Sequence, residues 1–248
     1  MEFRADIYTR KQLSLALDNP NVSYVYAPYN IVDKSLLNQA ERIILVPPVY
    51  LADSEEKVIE KFAELKETGF KNALVQCIVN SEPFKNLGFN LYGGVRLNCT
   101  NSEMLNFINE NDIQDAIVST EITAYQLNEL KKPFKIGFIA YGHLPLMVTR
   151  RCPVSDGKPC NKTCCNRTMT DRMGNELHLI CNENSVEILN SDTLYLADKL
   201  DHFISADFAV LKFTYEKEIN DIISSYVFKE QPTMKNFTRG LYFKGVKN

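Results

Sequence analysis

Eight short runs rich in β-branched and aromatic residues recur along the chain, with helical patterns between most of them. They cover residues 3–8, 23–27, 42–46, 73–78, 91–97, 116–119, 136–141 and 208–213. Strands that alternate with helices pair in parallel, because a crossover helix returns each strand to the same end of the sheet. Eight is the number that closes such a sheet on itself. The expected fold class is α/β, a (β/α)8 TIM-barrel-like domain over residues 1–248. At 248 residues and 45% hydrophobic content the chain can bury a full core. No linker, low-complexity run or internal repeat divides it.

Helices are expected at 10–17, 54–68, 102–109, 123–130, 193–203 and 216–226. The clearest is 54–68, where Val58, Ile59, Phe62 and Leu65 form one apolar stripe, Asp53 with Glu56 resembles a capping box, and Gly69 is placed to end the helix.

A second feature breaks the pattern. Directly after the seventh run, residues 150–183 form a cysteine-rich insertion that concentrates five of the seven cysteines in thirty residues. Cys152, Cys160, Cys164, Cys165 and Cys181 are separated by seven, three, zero and fifteen residues. Pro153, Gly157, Pro159 and Gly174 interrupt regular structure, and Asn161, Asn166 and Asn175 suit turns. Converging thiolates repel one another unless a cation holds them, so an iron-sulfur cluster or zinc is indicated. Zinc sites usually show paired C-x2-C knuckles, which these gaps do not match. Disulfides are the third alternative. The N-terminal MEFRADIYTR bears Glu2, Arg4 and Asp6 and no apolar run, so no secretory signal is visible, and a reduced, cytoplasmic chain is expected. The ligands expected are Cys152, Cys160, Cys164 and Cys181, with Cys165 the alternative to Cys164. Cys77 and Cys99 lie in apolar strand contexts and are expected to be core or lining thiols.

In a parallel barrel, chemistry collects on the loops at the strands' C-terminal ends. Candidates for that rim are Tyr26, Pro28, Tyr29, Pro47, Pro48, Asn98, Asn101 and Glu121. His143, just past the seventh run and beside Tyr141, suits a proton donor or a substrate contact, because imidazole titrates near neutrality. A hydrogen-bonded support for the insertion is the alternative. The candidate catalytic set is His143, Tyr141 and Glu121. His178 is a fallback ligand, and His202 reads as scaffold.

Net charge is −3, so the whole-protein field does not advertise nucleic-acid binding, and no apolar run reaches the ~20 residues of a membrane span. Locally the balance reverses. Arg150, Arg151, Lys158, Lys162, Arg167 and Arg172 face only Asp156 and Asp171, and Lys229, Lys235, Arg239, Lys244 and Lys247 make the tail basic. An anionic substrate or an RNA phosphate would meet such positions.

Four stretches carry a resemblance. Tyr141, Gly142, His143, Leu144, Pro145, Leu146 and Met147, followed by Cys152 and Pro153, resemble the [YF]G-x-LPL[MA] motif of the collagenase-like U32 peptidase family. Arg96, Leu97, Asn98, Thr100, Asn101 and Ser102 resemble its LN-x-[TF]NS stretch. Thr170, Asp171, Arg172 and Gly174, then Asn190 and Ser191, resemble its DR-x-G and NS stretches. Thr238, Arg239, Gly240, Tyr242, Gly245 and Val246 resemble its terminal TRG-x-[FY]-x-x-GV.

Members of that family were first labelled peptidases, but relatives carry a cysteine-bound 4Fe-4S cluster and support oxygen-independent hydroxylation of tRNA, rRNA or the ubiquinone ring. The resemblance therefore implies such a cluster, an RNA or related ring substrate, and a possible second family member as heterodimer partner. A collagenase-like peptidase and a non-catalytic, cluster-bearing subunit are the alternatives. The chain shows neither G-x-S-x-G nor H-E-x-x-H. It also departs from the family's best-known signature, which has a Glu five residues before the Gly of the motif and a Cys three after it. Gly137 and Pro145 stand there.

Overall fold

A computed structural model describes residues 1–51, 54–155, 168–182 and 185–246. In chain order the elements are β1 (Glu2–Asp6), α1 (Arg10–Asp18), β2 (Val22–Pro28), β3 (Ile43–Val46), α2 (Glu55–Thr68), β4 (Asn72–Val75), α3 (Ser81–Asn86), β5 (Asn90–Gly93), α4 (Ser102–Glu110), β6 (Ile113–Ile117), α5 (Ala124–Asn128), β7 (Lys135–Gly142), β8 (Pro145–Thr149), β9 (Thr168–Thr170), β10 (Glu176–Cys181), β11 (Val186–Leu189), β12 (Thr193–Tyr195), β13 (Phe208–Lys212), α6 (Ile219–Val227) and β14 (Phe237–Thr238). Strands β1 to β7 pair in parallel in sequence order, and β13 pairs in parallel with both β7 and β1. That closes an eight-stranded parallel barrel, as the alternation of runs requires. All eight expected strands are present.

The helices cover the barrel for the reasons their sequences give. Thr9 and Gln12 form a capping box at α1, with the Gln12 amide nitrogen of the backbone donating to Thr9 Oγ1 at 3.2 Å. On α2, Val58, Phe62 and Leu65 are buried. Phe62 packs against Tyr29 and Phe84, with centroids 5.5 and 4.5 Å apart, so truncating it to alanine would cost about 3–5 kcal/mol. Gly69 ends α2 in the left-handed region at φ 116°. Ser54 occupies the N-cap place, and Asp53 lies outside the described residues.

One expected helix is corrected. Residues 193–203 form strand β12 and then a 3-10 turn, Ala197–His202. Leu194, Tyr195, Leu196 and Ala197 are all buried, a consecutive run that a surface helix with one apolar face cannot satisfy. Strand β12 instead pairs antiparallel with the end of β7, Leu194 opposite Gly142 and Tyr195 opposite Tyr141, and β14 adds outside it.

The insertion is built around a second sheet, antiparallel, in the order β8-β11-β10-β9. Leu179, Val186 and Ile188 form its small core, with Cys152, Val154, Met169, Leu177 and Cys181 packed against it. The sheet leaves the barrel at the C-terminal end of β7 and therefore stands at the mouth.

Candidate functional site

The barrel interior is charged where most parallel barrels are aliphatic. Glu2, Arg4 and Asp6 alternate with Phe3, Ala5 and Ile7 along β1, and the charged face is the inner one. Arg4, only 2% exposed, reaches Asp115 on β6 at 2.6 Å and Tyr26 Oη at 3.0 Å, and its guanidinium stacks 3.5 Å over the Phe208 ring. Strands β1 and β6 are not neighbours in the sheet, so this contact crosses the barrel. The Phe208 ring occupies the volume that a side chain on Gly137 would fill. No Glu fits at 137 beside it, which accounts for the departure there.

Above this layer a cavity of about 340 Å³ opens at the mouth. Barrel strands and their loops supply Asp6, Tyr8, Tyr26, Pro28, Tyr29, Pro47, Pro48, Gln76, Arg96 and Lys212, and the second sheet, β8 to β11, with the turn after β10 supplies Pro145, Cys181, Asn182 and Glu187. Two polar groups face each other in it. Lys212 Nζ donates to Tyr8 Oη at 2.6 Å and to Asp6 Oδ2 at 3.1 Å. Arg96 Nη2 contacts Glu187 Oε2 at 3.0 Å, and Asn182 Nδ2 donates to Glu187 Oε1 at 3.1 Å. Burial works against the charge on Lys212, but Asp6, Tyr8 and Glu187 outweigh it and hold the ammonium above its usual range. Burial raises Asp6 although Lys212 opposes it, and burial with the nearby Glu187 raises the Tyr8 phenol. With two cations and two carboxylates the cavity is close to electroneutral, and tyrosine and proline faces make up much of the remaining wall.

The expected site residues divide. Tyr26, Pro28, Tyr29, Pro47, Pro48 and Cys181 line the cavity. Asn98 instead holds a left-handed turn at φ 51°, and Asn101 caps α4 by accepting from Met104 N at 2.9 Å. Glu121 is exposed outside the cavity lining. Tyr141 is buried on β7, its hydroxyl donating to Glu216 Oε1 at 3.3 Å. His143 is buried at the root of the insertion, with Nδ1 2.7 Å from Asn190 O and Nε2 3.2 Å from Thr193 Oγ1. It joins the outgoing and returning ends of the insertion and packs against His178, ring centroids 4.8 Å apart. Burial first, and His143 second, lower the His178 imidazole below its usual range.

Cys152 and Cys181 are half-buried and share the apolar cluster of the second sheet. Cys160, Cys164 and Cys165 lie outside the described residues, as do Lys158, Lys162 and Arg167. Among the described residues no three His, Cys, Asp or Glu side chains converge as a metal site. Cys99 is buried beside β6, where desolvation pushes its thiol up to about 12. Cys77, expected as a core or lining thiol, is exposed just past β4 and is not among the cavity lining. The strand turns outward there into a 3-10 turn, Ile78–Asn80.

Sequence reasoning missed Asp6, Tyr8, Arg96, Glu187 and Lys212 as cavity residues. For three of them a signal existed: Lys212 is a charge at the end of an otherwise apolar strand, Asp6 is the last of three charges alternating along β1, and Tyr8 follows it within two residues. Glu187 carried none, because nothing in the sequence alone indicated a strand pairing that aims it back at the barrel.

The fold and cavity define a (β/α)8 barrel whose mouth is walled by a sheet inserted between its seventh and eighth strands. The family model described as Peptidase family U32 matches residues 30–214, which run from the turn after β2 to just beyond β13 and include the whole insertion. The chain belongs to that family. No curated protein and no solved structure matches it. Among the described residues no helix is long and apolar enough to cross a membrane.

Proposed function

We propose that this U32 family member carries a 4Fe-4S cluster on Cys152, Cys160, Cys164 and Cys181 and takes part in oxygen-independent hydroxylation of an RNA base or a related ring. One observation carries the reading: Cys181 belongs at once to the cavity wall and to the apolar cluster that also holds Cys152. Cys152 and Cys181 fit such a group, since soft thiolates on a half-buried apolar surface are what an iron-sulfur cluster takes; Cys160 and Cys164 lie outside the described residues. Bound there, it would supply one-electron transfer beside the cavity; because C–H to C–OH is a two-electron oxidation, the reaction also takes an oxygen-atom donor other than O2 that is itself reduced by two electrons. Zinc is the alternative occupant of the same thiolates.

The remaining chemistry belongs to this chain's own side chains. An electroneutral cavity with tyrosine and proline walls favours an uncharged planar ring over a phosphate, which would have to displace Asp6 or Glu187 from its cation. At about 340 Å³ it is at the small end of ligand pockets. Tyr8 Oη accepts from Lys212, so its own hydrogen is left for an acceptor on the ring. Glu187, held by Arg96 and Asn182, is positioned to accept from a ring N–H. A base would reach them out of its stack, as chemistry on a base requires. The substrate is an RNA in this reading, and a second family member is a further candidate partner.

The test is purification without oxygen, with iron, sulfide and zinc measured on one sample, followed by mass analysis of nucleosides from RNA exposed to the protein in an oxygen-free cell extract that supplies the oxygen-atom donor. About four irons per chain, their loss in Cys152→Ala, and a base heavier by one oxygen atom are expected. A colourless protein with about one zinc refutes the cluster. Cleavage of gelatin by cluster-free protein would return the peptidase alternative.

A further inference from the structure

A second concavity lies on the flank of the barrel, outside the cavity at the mouth, and all of its lining except Lys199 follows the residues that the family model matches. Its volume is about 370 Å³, and Lys199, Phe237, Thr238, Arg239, Gly240, Phe243 and Lys244 line it. Here the charge is not balanced. Arg239 binds Asp198 through both nitrogens, Nη2 to Oδ2 at 2.9 Å, and Lys199 Nζ lies 3.6 Å from the same carboxylate, which is 2% exposed. One buried acid thus serves two cations. Lys244 is exposed and has no ion pair among the described residues, so the lining keeps an excess of positive charge.

Aromatic rings alternate with these cations. The Arg239 guanidinium sits 4.8 Å from the Phe237 ring centroid. Phe243 is 42% exposed, yet it is held edge-on against His202 and Phe203 at 5.3 and 6.3 Å. An exposed phenylalanine fixed in place beside lysines offers a flat apolar face next to a phosphate-sized positive field. Nucleotide units need that pairing, because every base has a face to stack and every link has a charge to neutralise. An acidic peptide would use the lysines but not the ring, and a lipid acyl chain would use the ring but not the lysines.

The site is also tied to the mouth. Phe237 on β14 pairs with Thr193 on β12, and Thr193 contacts His143 at the root of the insertion. The flank concavity therefore begins level with the end of β7 from which the insertion leaves.

We propose that this concavity binds nucleotide units, with Lys199 and Lys244 on phosphate and the Phe243 ring under a base. It is a site separate from the cavity and does not depend on what the cysteines hold. The shared chemistry could come from a free nucleotide or from a single strand, and the test separates them.

The full chain is titrated by fluorescence anisotropy with a labelled single strand of about eight nucleotides, and by competition with a mononucleotide, over a range of salt. Removing two phosphate contacts in Lys199→Gln with Lys244→Gln is expected to lower the slope of log K against log salt by about 1.4. Phe243→Ala is expected to weaken binding about fivefold or more with the slope unchanged. Lys57→Gln with Lys61→Gln on α2 serves as the charge control, and unfolding midpoints confirm that each variant is folded. Competition by the mononucleotide at the strand's own affinity identifies a nucleotide site, and much weaker competition identifies a strand site. Absence of binding by either ligand overturns the proposal, as does strand binding that responds equally to the control pair. Iron content is read on the same variants, so failure here is distinct from failure of the cluster reading.

Discussion

Gly142 and Gly69 both have positive φ, 115° and 116°, and differ in what surrounds them. Gly69 ends α2, and a methyl group there would meet only the flexible end of Leu37 at 3.4 Å. Gly142 ends β7, and a methyl group there would fall inside the carbonyl oxygen of Lys212. Substituting alanine at Gly69 should therefore cost only the left-handed penalty, about 1–2 kcal/mol. Alanine at Gly142 pays a positive-φ penalty of its own, about 1–2 kcal/mol, and must also push the backbone of β13 away, for another 1–3 kcal/mol. Its total is about 2–5 kcal/mol. Urea unfolding of both variants measures the difference, expected at about 1–3 kcal/mol with Gly142→Ala the less stable. Equal destabilisation would refute the tight β7–β13 contact. The same displacement would move Lys212, so the Gly142→Ala cavity should also differ from the parent in ligand affinity while that of Gly69→Ala does not.

Three further outcomes follow from the interior. Burial, opposed by Arg4, pushes the Asp115 carboxyl up from 3.8 to about 6; between these values the folded protein keeps a proton that the unfolded chain has lost, so stability falls as pH rises through roughly 4 to 6. Asp115→Asn should remove that slope from urea midpoints, and parallel slopes in both proteins would contradict it. Among the cysteines outside the insertion, Cys77 should react with a thiol reagent near pH 8 and Cys99 should not until the chain unfolds, read by peptide mass analysis. Arg96→Met leaves Glu187, 5% exposed, without its cation; a cost of about 2–3 kcal/mol is expected, at the low end for a buried pair because Arg96 is itself partly exposed, with faster hydrogen exchange in β10 and β11 than in the barrel strands.

The barrel was legible because each strand is a short β-rich run and each long helix a periodic stripe, signals set by the chain itself. Gly69, read as a helix stop, is one. What stayed hidden depended on partners distant in sequence. The run 193–203 contains good helix formers, yet four consecutive buried residues and the exposed end of β7 make it a strand. Likewise, Glu2, Arg4 and Asp6 read as a polar N-terminus unfit for secretion. A strand in a closed parallel barrel is buried on both faces, so the charged face of β1 could only turn to the helices or to the interior. Arg4 resolves this by meeting Asp115 across the barrel, a contact separated by 111 residues. The cysteine-rich stretch was visible as a feature, but the antiparallel sheet that turns Glu187 and Cys181 toward the mouth was not.

The two departures from the family signature become one statement about where this chain keeps its polar groups. At 137 the interior is taken by the Phe208 ring, and that ring is in turn the surface on which Arg4 lies. A carboxylate at 137 would have to evict the ring and would leave Arg4 without its stacking partner. The carboxylates that reach the cavity therefore come from elsewhere: Asp6 from β1 and Glu187 from the insertion. At 145, proline forms part of the cavity wall and offers no ligand atom. The thiol on that wall is Cys181, from the far end of the inserted sheet. With both changes the charged groups of the cavity come from β1, β13, the turn after β5 and the inserted sheet rather than from β7. In this chain the inserted sheet is thus part of the cavity itself, and the Arg96–Glu187 pair that joins it to the barrel is the contact on which the composition of the site depends.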